Sequence, residues 1–190
     1  YLVGEVVPML PHRLSSGICS LVEAEERLVK SVLFRFSEDG KLLGSKLAES
    51  VIKSDKRLTY EQAILFMKET SLEKIRTAKP PPSRYSGNPG RPLSELSTEL
   101  LAELKGVIEK LWRVAVQVRR GRMKAGSLDF ASSEVKILVN DKGEPEEIIQ
   151  SESDESHQLI EEFMLLANET VAKELRKKHL PGIFRVHPDP

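Results

Sequence analysis

Two stretches of this chain repeat their apolar residues at helical spacing, and both are long. From Leu93 to about Lys124, Leu100, Leu104, Ile108, Leu111, Ala115 and Val118 follow the helical repeat. The second opens at Asp154, runs to about Lys178 and is stopped by Pro181-Gly182. Apolar stripes of that length need cover, so the rest of the chain is constrained to pack against them. With 190 residues, 39% of them apolar, the chain has room for one full-sized core.

Between and before these helices the periodicity changes. "RLVKSVLFRFSEDGKLLGSKLAESVIKS", from Arg27, alternates around Val32, Phe34 and Phe36, turns at Asp39-Gly40 and resumes toward Val51 and Ile52. That pattern predicts a two-stranded hairpin. "SSEVKILVNDKGEPEEIIQ" predicts a second strand pair around an Asp-Lys-Gly turn, and "GIFRVH" one more strand near the end. "TYEQ", Thr59 to Gln62, fits a capping box, with "AILFMKE" continuing as a short helix and Tyr60 at its first position. Residues 1–21 are punctuated by Pro8 and Pro11 and read as extended or irregular. Residues 77–92 carry Pro80, Pro81, Pro82, Pro89 and Pro92 and form a loop rather than a packed element. The fold class expected is mixed α/β, with β-hairpins packed against long helices, and no internal repeat.

Composition removes several functions. Basic and acidic residues balance at 29 each, so net charge names no partner, although a local basic groove is compatible with it. The single cysteine, Cys19, excludes an internal disulfide and a Cys-rich zinc site. No apolar run approaches the ~20 residues of a membrane helix and no signal peptide opens the chain, so a soluble, cytoplasmic protein is expected. There is no GxSxG, phosphate loop or zinc pattern. Tyr1 in place of an initiating methionine suggests a fragment.

Three features could carry chemistry. On the last helix, Leu159, Ile160, Phe163, Met164, Leu166, Ala167 and Val171 cover well over half the circumference, leaving a polar stripe of His157, Glu161 and Asn168. Glu161 is then either paired with a nearby Lys or Arg in a wet seam, or a carboxylate facing a polar ligand. The His157-x3-Glu161 spacing suits two metal ligands, but no third is visible. Residues 113–124 hold Arg113, Arg119, Arg120, Arg122 and Lys124 without an acid, followed by Phe130. Cations along phosphates with a ring under a base is what single-stranded nucleic acid requires; a basic helix C-terminus and a core Phe130 remain the alternative. The third feature is the stiff opening segment "VVPMLPHRLSSGICSL".

Taken in order, "VVPMLPHRLSSGICSL", "ESVIKSDKRLTYEQA", "RRGRMKAGSLDF", "HQLIEEFMLLANETVA" and "GIFRVHPDP" resemble the central part of the catalytic domain of the ribonuclease II / ribonuclease R (RNB) family. The resemblance covers essentially the whole chain. It implies a processive 3′-to-5′ exoribonuclease that uses Mg²⁺, acts on the 3′ end of single-stranded RNA in preference to DNA, and releases nucleoside 5′-monophosphates. It leaves room for an RNA-degradation complex, and the lack of a long apolar run leaves no membrane partner expected. By the same resemblance Tyr1 contacts the terminal nucleotide, Phe130 stacks on a terminal base, and Tyr60 and Glu161 sense the ribose, whose 2′-hydroxyl separates RNA from DNA. The opening segment becomes a positioning wall for Tyr1. The family's aspartate cluster for the metal and its transition-state arginine would lie before Tyr1 and beyond Pro190, which implies that these residues alone are inactive. The competing expectation is a catalytically inactive family member that only binds RNA.

Overall fold

The computed structural model describes residues 7–78, 90–128, 133–140, 144–184 and 186. Two antiparallel ribbons and four helices make up its regular structure. Strands β1 (Glu26–Phe36) and β2 (Leu42–Lys53) pair from Glu26↔Lys53 to Arg35↔Gly44, with a bulge before Phe36↔Leu42. Strands β3 (Ser133–Val139) and β4 (Pro145–Glu152) form the second ribbon, and among the described residues the two do not merge into a larger sheet. The helices are α1 (Tyr60–Lys68), α2 (Leu72–Thr77), α3 (Thr98–Lys124) and α4 (Glu155–Lys177).

Local chemistry explains the boundaries. The turn of the first ribbon closes through Gly40 N–H to Ser37 O (3.0 Å) and Ser37 N–H to Lys41 O (2.9 Å). Gly40 has φ +79°, and a Cβ there would lie 2.6 Å from Cβ and Cγ of Gln117, so the turn needs glycine both for its backbone and for its approach to α3. The capping box at Thr59 is formed as expected: Gln62 N–H donates to Thr59 Oγ1 (3.2 Å) and Thr59 N–H to Gln62 Oε1 (3.1 Å). Ser71 caps α2, Ser97 caps α3 and Asp154 caps α4.

The core gathers Phe66, Ile75, Leu93, Leu96 and Leu101, with Leu58, Leu72, Leu100, Leu104 and Ile108 packed around it. It therefore sits between α1, α2, a 3₁₀ turn (Leu93–Glu95) and the first half of α3. Helices α1, α3 and α4 pack pairwise, which brings the N-terminal mouths of α1 and α4 together.

Three expectations need correction. The regular helix begins at Thr98 rather than Leu93, because Pro92 leads into the 3₁₀ turn and Ser97 supplies the cap. The opening segment holds one π-helical turn, Arg13–Ile18, closed by Cys19 N–H to Leu14 O (2.9 Å). "GIFRVH" forms no strand among its described residues, where Ile183 and Val186 are exposed. On α4 the apolar arc is only partly covered: Leu159 is buried, but Ile160 and Met164 are exposed. No helix among the described residues is long and apolar enough to cross a membrane.

Candidate nucleic-acid interface

Tyr60 occupies the first position of α1, half-exposed, with its backbone pinned by the capping box. Its ring lies over the imidazole of His157, centroids 3.8 Å apart and planes 17° from parallel. His157 stands in the first turn of α4 and is itself fixed from below. The Asp154 carboxylate accepts from Ser156 N–H (3.0 Å), Ser156 Oγ (2.5 Å), His157 N–H (3.2 Å) and His157 Nδ1 (2.8 Å). Because an ionised carboxylate is an acceptor only, Nδ1 carries the proton in that bond. Burial pushes the Asp154 carboxyl up, but the bonds from Ser156 and His157 outweigh it and hold the group below its ordinary 3.8. Lys68 reaches Glu155 at 2.9 Å and ties the far end of α1 to the start of α4.

One helical turn beyond His157 lies Glu161, with its side chain half exposed. Arg122 of α3 approaches it at 3.7 Å, a loose contact rather than a closed ion pair. Tyr60, His157 and Glu161 thus form an open surface of two rings and a carboxylate, bordered by the basic end of α3. Asn168 is exposed on the same helix.

The closed carboxylate is its neighbour. Glu162 is 1% exposed and accepts from Arg119 Nη1 (3.3 Å), Arg122 Nε (3.1 Å) and Arg122 Nη2 (2.5 Å). The two bonds from Arg122 form a bidentate fork, the geometry best suited to a carboxylate. The desolvation argument made for Glu161 therefore belongs to Glu162, which stands three positions from Leu159 and faces the α3–α4 seam. Its place within the apolar arc was the signal that could have identified it. The basic cluster divides accordingly: Arg119 and Arg122 are committed to the seam, while Arg113, Arg120 and Lys124 are exposed.

Of the residues expected to hold substrate, the structure brings Tyr60 and Glu161 to one surface, joined through His157. Tyr1 and Phe130 lie outside the described residues. Among the described residues no three His, Cys, Asp or Glu side chains converge to hold a metal ion.

A second ionic centre lies behind α1. Glu23 accepts from Lys56 Nζ (2.9 Å), Arg57 N–H (2.9 Å) and Arg91 Nε (2.6 Å). The Lys56 side chain is wholly buried and that of Glu23 nearly so. One carboxylate thereby joins the segment after the opening π-helical turn, the lead into α1 and the residues before the 3₁₀ turn. Burial raises the Glu23 pKa, but the Arg57 N–H, Arg91 and Lys56 outweigh it and bring it from 4.5 down to about 2. No local pattern announces this centre, because its partners are 33 to 68 positions away.

Long helices carrying two antiparallel ribbons, with a ring-and-carboxylate surface beside a basic helix end, define a mixed α/β architecture that is also found in solved ribonucleases. A family model for the RNB domain matches residues 1–190, and the chain belongs to that family. It is 36% identical to ribonuclease R 2 of Lactococcus lactis and 37% identical to ribonuclease R of Thermotoga maritima, each over 100% of this chain. Those matches take in 26% and 23% of the relatives, so the chain spans about a quarter of their length. The structure of Mycoplasma genitalium RNase R with ribose-methylated single-stranded RNA superposes with a TM-score of 0.78 at 28% identity, covering 100% of this chain and 26% of that one. The same protein has been solved with double-stranded RNA. An exoribonuclease of Candida glabrata, at 18% identity and a TM-score of 0.68 over 95% of this chain and 22% of its own, shares the fold.

Proposed function

We propose that this chain is the substrate-gripping part of a processive 3′-to-5′ exoribonuclease that degrades single-stranded RNA to nucleoside 5′-monophosphates. The observation that carries the reading is the exposed surface of Tyr60, His157 and Glu161 beside the basic end of α3, in a chain of the RNB family. Glu161, half exposed and only loosely approached by Arg122, is free to accept a hydrogen bond from a ribose 2′-hydroxyl, a donor that DNA lacks. Tyr60 offers a ring edge beside that hydroxyl. Arg120 and Lys124 are exposed to follow phosphates, and Phe130 would stack on a base with Tyr1 against the terminal nucleotide. Mg²⁺, when bound, would polarise the scissile phosphate and activate water, held by aspartates outside these residues. This chain's own contribution is to bind and orient the strand and to select ribose.

The test is to incubate the full-length protein with Mg²⁺ and a single-stranded RNA, labelled at its 5′ end to follow shortening and along its body to identify the released product. Release of nucleoside 5′-monophosphates from the 3′ end, abolished by a chelator, is the expected result. Tight binding of the same RNA without cleavage would identify a family member that only binds.

A further inference from the structure

In the stack between Tyr60 and His157 two helix mouths meet through side chains that neither cap needs. We propose that His157 is the positioning residue of the ribose pocket, holding the Tyr60 ring in its RNA-receiving orientation by stacking on it; this rests on the ribose-sensing reading above.

The geometry runs in one direction. Asp154 is held by its bonds from Ser156 and from the His157 backbone, which are part of the start of α4. His157 Nδ1 donates to the same carboxylate oxygen at 2.8 Å, so the imidazole has a fixed plane before anything binds. That plane lies 17° from parallel to the Tyr60 ring at a centroid separation of 3.8 Å. Tyr60 has no such anchor of its own: its backbone is pinned by the capping box, but its side chain leaves the helix mouth into solvent and is half-exposed. A half-exposed tyrosine otherwise samples several rotamers, and a ligand would have to select one of them. An aromatic stack of this kind shifts such an equilibrium by about 2- to 12-fold. Glu161 lies one turn further along the same helix, so the residue that orients the ring and the residue that meets the ribose share one rigid frame. His157 thus acts through Tyr60 and need not touch the RNA.

Two variants of the full-length protein separate the ring of His157 from its hydrogen bond. His157→Gln keeps a donor for Asp154 and removes the ring; His157→Phe keeps the ring and removes the donor. Affinities are measured for a short single-stranded RNA and for the DNA of the same sequence. His157→Gln is expected to lower RNA affinity by about 2- to 12-fold with little change for DNA, and His157→Phe, which keeps a ring to stack but loses its anchor on Asp154, to lose less than His157→Gln. In a Tyr60→Ala background the His157→Gln change should add nothing. Fluorotyrosine at position 60 reports on the unliganded ring, and its ¹⁹F resonance should move in His157→Gln, where the stacked ring is gone. An unmoved resonance in His157→Gln, equal losses on RNA and DNA, or a full additional loss on top of Tyr60→Ala overturns the proposal. If Tyr60→Ala narrows the RNA preference and His157→Gln does not, the ribose reading stands and the positioning role falls. If Tyr60→Ala itself leaves the preference unchanged, the ribose reading falls and takes the positioning role with it.

Discussion

Replacing Glu23 by glutamine perturbs the fold at a point where pH and mutation have to agree. In the native state the carboxylate takes three charged or backbone donors and is held at about 2 instead of 4.5. A ten-fold change in acidity is worth about 1.4 kcal/mol, so the native contacts favour the ionised form by roughly 3 kcal/mol. The carboxyl is depressed on folding, so this stability is fully present above about pH 4.5. It drains away as pH falls from there toward 2. Glutamine at 23 keeps the shape but removes the carboxylate facing the wholly buried Lys56 ammonium, which retains its bond to Arg57 O (2.6 Å). At pH 7 the variant should therefore be less stable by roughly 3–5 kcal/mol, the usual consequence of stripping one member from a buried pair. Urea unfolding of both proteins at several pH values measures the difference directly. Other carboxylates titrate in both proteins and cancel in the subtraction. The gap should be largest at pH 7, begin to close below about pH 4.5 and be small near pH 2. A gap of constant size across that range would refute the reasoning, because it would mean that the ionised carboxylate contributes nothing specific.

Further outcomes follow from the site. Glu162→Ala removes the buried anion of the α3–α4 seam and should destabilise the protein by about 3 kcal/mol in thermal or urea unfolding; a loss under about 1 kcal/mol would contradict the bidentate pairing with Arg122. Arg120→Gln and Lys124→Gln should each reduce the salt dependence of RNA affinity by about 0.7 in the log–log slope, whereas an unchanged slope would take those side chains off the phosphate path. Phe130→Ala should weaken RNA binding by roughly 1–3 kcal/mol if the ring stacks on a base. Unchanged affinity with a lower melting temperature would make it a core residue.

What could be read in the sequence was what is encoded locally. The Asp39-Gly40 turn with its alternating flanks, the Thr59–Gln62 box and the cap at Asp154 each specify structure within a few residues, and each element formed where those signals lie. Boundaries shifted where a competing local device won, as at Leu93, where Pro92 and the Ser97 cap delay the regular helix to Thr98. α2 went unread because six residues hold too little periodicity to stand out. The sequence singled out Tyr60 and Glu161 but not the pieces that organise them. Of the adjacent acids Glu161 and Glu162, only the packing of α3 on α4 decides which is buried, and that partner lies 40 and 43 positions away. His157 appeared as part of a polar stripe, and its contact with Tyr60 arises only when two distant helix mouths meet.

The central claim is that this surface selects ribose through Glu161, and the affinity ratio for matched RNA and DNA strands in Glu161→Gln tests it most directly. Glutamine preserves size and leaves the Glu162 seam intact, so stability should be nearly unchanged. The account predicts weaker binding to RNA, unchanged binding to DNA and hence a narrowed preference. Equal changes on both strands, or none on either, would contradict it and return Glu161 to an ordinary solvated position beside Arg122.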